Sequence, residues 1–151
     1  MLSANFFEIK TDKIISKIKN NSSIHDLMNY ICYTHENIII MDYRYFKYIA
    51  CENSYQLIIN HFLRIINSIL TNQSSFTVCI CIKSLTIGDI EKHITFIKFF
   101  SNILKKTYEN KLDKCYIYKA PFIFSQIYNI ISCFIDKVTQ QKIVMVDNET
   151  S

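Results

Sequence analysis

Short apolar runs alternate along this chain with longer segments whose apolar residues recur at helical spacing. The runs with strand character are residues 37–41, 76–82, 114–119 and 142–146. The segments with helical spacing are residues 53–70, 88–108 and 122–135. Because strands that alternate with helices through short connections form parallel sheets with right-handed crossovers, the pattern predicts an α/β fold with a mostly parallel sheet and crossover helices.

The two ends of the chain are less regular. Residues 6–18 fit a strand or a helix equally well, and residues 147–151 form a polar tail. Ser23 is predicted to cap a helix. That helix carries Ile24, Leu27, Met28 and Ile31. A length of 151 residues is typical of one domain, so we expect a single domain over residues 1–151.

The composition argues against several classes of function. A chain with one glycine has no glycine-rich phosphate loop. None of its four histidines lies at catalytic spacing from a cysteine or an acidic residue. We therefore expect no enzymatic activity and no cofactor. A net charge of +4 suits an anionic lipid surface but is far below that of nucleic-acid-binding domains. The excess of Ile, Lys and Asn over Ala, Gly and Pro is typical of an AT-rich genome, such as that of a large DNA virus.

The cysteines and the apolar stretches indicate in which cellular compartment the protein is expected. The six cysteines show no metal-ligand spacing and are predicted to be buried, reduced thiols of a cytosolic protein. The amino terminus lacks the basic and apolar regions of a signal peptide. The longest charge-free stretches are too short or too polar to span a bilayer. We expect a cytoplasmic protein whose membrane contact is peripheral.

The segment after the only proline, Pro121, is apolar on two adjacent faces. Pro121 is predicted to end a strand and to start a helix over residues 122–135 at its first turn. One face carries Ile123, Ile127, Ile130 and Phe134, and the other carries Phe124, Tyr128, Ile131 and Ile135. Because this arc is wider than one side of a sheet requires, the second face is expected to be buried, to bind a protein or to bind a lipid.

The stretch 116–125 (YIYKAPFIFS) resembles the strand-end motif of the CRAL-TRIO lipid-binding domain family, which includes phosphatidylinositol transfer proteins. The resemblance continues without a gap to Ile143 and covers about residues 75–147. It implies non-enzymatic binding or transfer of a phospholipid, with phosphatidylinositol or a phosphoinositide favoured. In this family, the helix corresponding to 122–135 gates an apolar cavity at a membrane surface.

The resemblance also implies a headgroup site. Thr139 and Lys142 match positions that contact the inositol phosphate, and a lysine ammonium beside a hydroxyl suits a phosphate group. The alternative is that Lys142 is an ordinary surface residue and Thr139 a helix cap. The family's partnering glutamate is not kept, because Asn110 falls at its position and Glu109 lies one residue earlier.

An acyl-chain site is implied in the same way. On the strand 76–82, Thr77, Cys79 and Cys81 are expected to leave room for an acyl chain above the sheet, although close helix packing explains their small size equally well. The residues of the gate that are expected to contact the ligand are Phe124, Ile127, Tyr128, Ile131 and Phe134.

Departures from the family pattern motivate a second hypothesis. The helical lead-in domain of the family is expected to be absent or reduced to residues 1–36, and the chain ends about five residues after the last matched strand. We therefore expect a minimal or truncated member. The alternative function is a degenerate scaffold without a lipid cavity, which binds a protein or forms a homodimer through the apolar gate.

Overall fold

The computed structural model describes residues 2–3, 5–8, 15–16, 19–20 and 23–146, and its centre is one five-stranded sheet. The strands are β1 (Cys32–His35), β2 (Ile38–Asp42), β3 (Phe76–Cys81), β4 (Leu112–Tyr118) and β5 (Ile143–Met145). They lie in chain order across the sheet. β1 pairs with β2 in antiparallel orientation, and each later pair is parallel. The predicted α/β class with a mostly parallel sheet is confirmed.

Seven α-helices connect or flank these strands in the described part of the chain. They are α1 (Ile24–Ile31), α2 (Tyr43–Ile49), α3 (Tyr55–Leu70), α4 (Ile87–Lys92), α5 (Ile94–Thr107), α6 (Phe124–Ile131) and α7 (Lys137–Gln141). The predicted cap of α1 is confirmed, because the Ser23 hydroxyl accepts a hydrogen bond from the Asp26 backbone N–H at 3.4 Å. Most of the ambiguous segment 6–18 and the tail 147–151 lie outside the described residues.

Two predicted helices differ from the structure. The segment 88–108 is divided at His93, whose non-helical backbone ends α4 and precedes α5. The segment 122–135 contains α6 followed by a 3-10 helix, Ser132–Phe134. Pro121 lies before α6 rather than in its first turn, because the Pro121 carbonyl accepts from the Phe124 N–H at 3.0 Å in a separate turn. β1, α2 and α7 were not predicted.

The two faces of the sheet are covered differently. The helices pack on one face, where Ile39, Val78 and Ile117 join the main core. On the other face, the short amino-terminal segment contributes Leu2 and Phe7 to a second cluster. That cluster also contains Ile40, Cys79, Cys81 and Tyr118. Since side chains alternate along a strand, neighbouring residues of β3 belong to different clusters.

A buried ion pair joins these layers at the end of β2. Arg44 donates to both carboxylate oxygens of Asp42, from Nε to Oδ1 at 3.0 Å and from Nη2 to Oδ2 at 2.7 Å. Asp42 also caps α2 by accepting from the Arg44 backbone N–H at 3.0 Å. The Arg44 Nη1 donates to the Phe7 carbonyl at 2.8 Å and so ties the amino-terminal segment to the sheet.

Candidate functional site

A cavity of about 320 Å³ lies between the helix-covered face of the sheet and the helices. Phe76, Val78 and Ile80 of β3 form its floor, together with Cys115 of β4. The α5 side chains Phe100 and Leu104 line it from the helix layer. Its remaining side is the wall segment, residues 132–142, which connects α6 to β5. The interior is therefore built mainly of apolar side chains from β3, β4, α5 and the wall segment, with Met41 of β2 and Phe62 of α3 also contributing.

The exposed rim of this cavity, here called the mouth, is polar. It comprises Lys105, Glu109, Asn110, Thr139 and Lys142. These residues lie at the amino ends of the parallel strands, because Glu109 and Asn110 precede β4 and Thr139 and Lys142 precede β5. Asn110 adopts a left-handed conformation with φ of 61°, which asparagine tolerates well, and this turn places the mouth directly before β4.

Asp136 organises the charged side of the mouth. The Thr139 backbone N–H donates to Asp136 Oδ1 at 2.7 Å, which caps α7. Hydrogen bonds from Thr139 lower the pKa of Asp136, and the nearby positive charges of Lys105 and Lys142 lower it further. The two lysines, from α5 and from the residue before β5, thus lie close to the same carboxylate. Lysine and threonine side chains are suitable partners for a phosphate group, and the same rim also carries the carboxylates of Glu109 and Asp136.

The wall segment is held together by its own hydrogen bonds. Gln140 Nε2 donates to the carbonyls of Ser132 at 3.0 Å and of Ile135 at 2.7 Å. From outside the segment, the Lys98 ammonium lies 5.1 Å from the centroid of the Phe134 ring, within cation–π range. Phe134 also lines the cavity, so this lysine contacts the outer side of the wall.

A second, smaller cavity of about 160 Å³ lies further along the same face of the sheet, towards the carboxyl ends of β2 and β3. Its lining is apolar apart from groups at its edge, including Asp42, Asp89 and His93. His93 is buried, and its Nδ1 shares a 2.6 Å hydrogen bond with the Tyr55 hydroxyl. Burial lowers the pKa of His93, and Lys92 lowers it further. His93 is therefore a neutral, hydrogen-bonded histidine of the core.

The predicted headgroup residues lie together. Thr139, Lys142, Glu109 and Asn110 all belong to the mouth, and Phe134 lines the cavity behind it. The predicted gate residues of α6 are placed elsewhere. Ile127 is 0% exposed in the main core. The remaining three, Phe124, Tyr128 and Ile131, line neither of these two cavities.

The contacts of the α6 side chains show what its two apolar faces pack against. Phe124 and Ile131 pack partly buried against the core, and Tyr128 contacts the Phe124 ring with centroids 6.0 Å apart. The part of the predicted gate that lines the larger cavity is therefore its end, Phe134 and Ile135.

The expectation for Cys79 and Cys81 is corrected by their position. Both side chains are fully buried on the face of the sheet opposite the cavities, against Ile40 and Tyr118. The alternate residues Phe76, Val78 and Ile80 face the helices instead. Burial raises the pKa of the Cys79 and Cys81 thiols to about 11, which leaves them protonated and unreactive near neutral pH.

Lys105 and Lys98 were missed as site residues. They are seven residues apart on α5, which places them two helical turns apart on the same side. The seven-residue spacing of the two lysines is visible in the sequence. It identifies them as site residues only when the wall segment is known to pack against α5. Among the described residues, no three potential metal-binding side chains meet, and no helix is long and apolar enough to cross a bilayer.

Comparisons with known proteins agree with this arrangement. The chain is 34% identical over 62 residues to the SEC14 cytosolic factor of Yarrowia lipolytica (strain CLIB 122 / E 150), a match that covers 41% of this chain and 13% of that protein. The crystal structure of Sfh5 superimposes with a TM-score of 0.68 and 17% identity, over 90% of this chain and 54% of that one. This chain thus corresponds to only part of each. The CRAL/TRIO domain family model matches residues 5–151, and the chain therefore belongs to the CRAL/TRIO domain family.

Proposed function

We propose that this protein binds a phospholipid without covalent chemistry, holds the acyl chains over the sheet and carries the lipid between membranes in the cytoplasm. Membership of the CRAL/TRIO domain family supports lipid binding or transfer in general. The observation that carries the proposal is the larger cavity, about 320 Å³ in volume, with an apolar interior and a polar mouth. This lining is typical of small-molecule sites, and the volume lies at the lower end of their range.

The chemistry of the mouth favours phosphatidylinositol or a phosphoinositide. Lys142 and Lys105 supply ammonium groups for the phosphate, and the Thr139 hydroxyl offers a further hydrogen bond. Glu109 and Asn110 supply acceptors for the hydroxyl groups of an inositol ring. A headgroup that combines an anionic phosphate with several hydroxyl donors matches this set better than a choline, which offers no hydrogen-bond donor.

Lipid exchange requires that the cavity open, and we propose that α6 and the wall segment act together as its gate. The Gln140 hydrogen bonds make the wall segment a unit, and it follows α6 directly. The alternative of a scaffold or homodimer with a filled interior has less support, because the interior contains a cavity and α6 buries Ile127 fully against the core.

Lipid loading tests the proposed function directly. Native mass spectrometry of the purified protein, incubated with mixed liposomes, is expected to show one bound phospholipid, with phosphatidylinositol enriched over its share of the liposomes. Val78→Phe places a larger side chain in the cavity floor and is expected to lower loading at least tenfold, because the added ring displaces ligand atoms.

Thr77→Phe is the matched control for this experiment. Thr77 neighbours Val78 on β3, and its side chain points to the opposite face of the sheet. This variant is expected to load lipid as the wild type does. A wild-type protein that takes up no lipid, or equal losses in the two variants, would contradict the proposal.

We also propose that the carboxyl edge of the sheet, which lies opposite the mouth and next to the start of α6, docks on an anionic membrane and acts on the gate rather than on the mouth. Phe122 follows β4 and is fully exposed at 105% relative accessibility. Lys83 and Lys119 follow the same ends of β3 and β4, and Lys47 lies on α2, which follows β2. Lys47 Nζ donates to Ser84 Oγ at 3.4 Å, which joins α2 to the loop after β3. Lys119 pairs with Glu8 and lowers the pKa of that carboxyl, and Lys83 contributes to the same shift. An exposed aromatic ring among lysines suits an anionic lipid surface.

Replacing Phe122 with alanine is expected to weaken binding to vesicles that contain phosphatidylserine about 10- to 150-fold, because a buried phenyl ring contributes roughly 1.5 to 3 kcal/mol. Co-sedimentation with vesicles measures the change. Phe99→Ala is the control, since Phe99 is also exposed, at 49%, but lies on α5. Similar binding of both variants would place the docking surface elsewhere.

A further inference from the structure

The two cavities meet at one pair of side chains. Met41 of β2 and Ile80 of β3 are direct partners in the parallel register, so they lie side by side on the helix-covered face. Of the described residues, these two alone line both cavities. Neither is fully buried, whereas their neighbours Ile40 and Cys79, which face the other side of the sheet, are 0% exposed. The pair therefore lies at the boundary between the two cavities and is here called the Met41–Ile80 partition.

Two aromatic rings lie over the same part of the floor. Phe96 lines the smaller cavity and Phe100 lines the larger one. Their rings are stacked with centroids 5.6 Å apart and planes inclined by 20°. Both residues belong to α5. The boundary between the two cavities in the helix layer therefore lies above the boundary in the sheet. The boundary thus has a floor of two aliphatic side chains and a roof of two rings.

The geometry of β3 gives the length of this floor. Phe76 lines the larger cavity and Ile82 lines the smaller one, and at 3.3 Å per residue they are about 20 Å apart along the strand. Methionine is unbranched and adapts its shape to its surroundings, whereas the β-branched isoleucine is restricted. Met41 is therefore the more adaptable side chain of the pair.

We propose that the Met41–Ile80 partition sets the length of the acyl chain that the protein accepts. This inference rests on the proposed function, because it assigns the chain end to the smaller cavity. A chain that enters from the mouth crosses the larger cavity first. It reaches the smaller cavity only when Met41 moves aside, so short chains end at the partition and longer chains must displace it.

Competition between phosphatidylinositols with the same headgroup and saturated chains of increasing length tests the partition. The chain-length distribution of the bound lipid is read by native mass spectrometry. Met41→Ala is expected to shift this distribution towards longer chains, and each further methylene that enters the joined space is expected to raise relative loading about fourfold. Met41→Phe is expected to shift it towards shorter chains. Met145→Ala is the control, because Met145 is exposed on β5 and lines neither of these cavities.

The outcomes separate this inference from the function on which it rests. A wild-type protein that loads no phosphatidylinositol overturns the proposed function and the partition with it. Loading with an unchanged chain-length distribution in Met41→Ala overturns the partition alone. Thermal unfolding shows whether Met41→Phe is folded, and if it is not, the result for Met41→Ala against Met145→Ala decides the question.

Discussion

Replacing Arg44 with methionine is expected to lower the free energy of unfolding by about 3 to 5 kcal/mol, as is typical when one partner of a buried ion pair is removed. The Asp42 side chain is only 2% exposed and Arg44 donates to both of its carboxylate oxygens. Without the guanidinium, Asp42 keeps a buried charge, and the Phe7 carbonyl loses a hydrogen-bond donor. Urea denaturation followed by circular dichroism measures the change.

Two further variants make this experiment specific. Adding Asp42→Asn to Arg44→Met removes the uncompensated charge, so the double variant is expected to recover part of the lost stability. Lys47→Met, which removes an exposed cation of α2, is expected to change stability by less than about 1 kcal/mol. A loss below about 1 kcal/mol in Arg44→Met would show that the pair does not hold the end of β2.

Replacing Lys142 with methionine is expected to lower the relative loading of phosphatidylinositol roughly 10- to 150-fold. A hydrogen bond to a charged group contributes about 1.5 to 3 kcal/mol, and the methionine keeps the apolar stem without the ammonium. Lys105→Met is expected to cause a loss of the same kind, because both lysines line the mouth. Quantitative native mass spectrometry at fixed lipid composition measures the loading.

Diacylglycerol and Lys106 supply the controls for this experiment. Diacylglycerol has acyl chains but no phosphate, so its loading is expected to be unaffected by Lys142→Met. Lys106 adjoins Lys105 and is exposed, but it does not line the cavity, and Lys106→Met is expected to load phosphatidylinositol normally. Equal losses of both lipids in Lys142→Met would show that the lysine supports the shape of the wall segment rather than binding a phosphate.

The parallel sheet was predictable from the sequence because β3 and β4 are apolar runs between strongly periodic helices. β1 was not, since Cys32–His35 is short, lies at an edge and follows α1 without a break. The hairpin between β1 and β2 turns at Glu36 and Asn37, with φ of 51° and 66°. Asparagine is common at such positions, but the glycine that usually marks this turn is absent. The signal was therefore weaker than usual.

The site was predictable to a different degree at its two ends. The mouth residues Thr139 and Lys142 came from a motif with fixed spacing, and the structure places them beside one cavity. The acyl-chain residues depended on which face of β3 the helices cover. Alternation along a strand defines two faces but does not show which face the helices cover. The small residues Cys79 and Cys81 were therefore assigned to the cavity side, whereas they lie on the opposite face. The width of the apolar arc of α6 reflects core packing around Ile127.

The attachment of the wall segment has a consequence for local unfolding. On its carboxyl side, this segment continues into β5, which has three residues and pairs with β4 at the edge of the sheet. The segment is also a unit of its own, through the Gln140 hydrogen bonds. Elements with few pairing partners open at lower free energy than central strands. The cavity can therefore become accessible through the detachment of one edge, while the pairing of β2, β3 and β4 is retained, and opening need not compromise the stability of the fold.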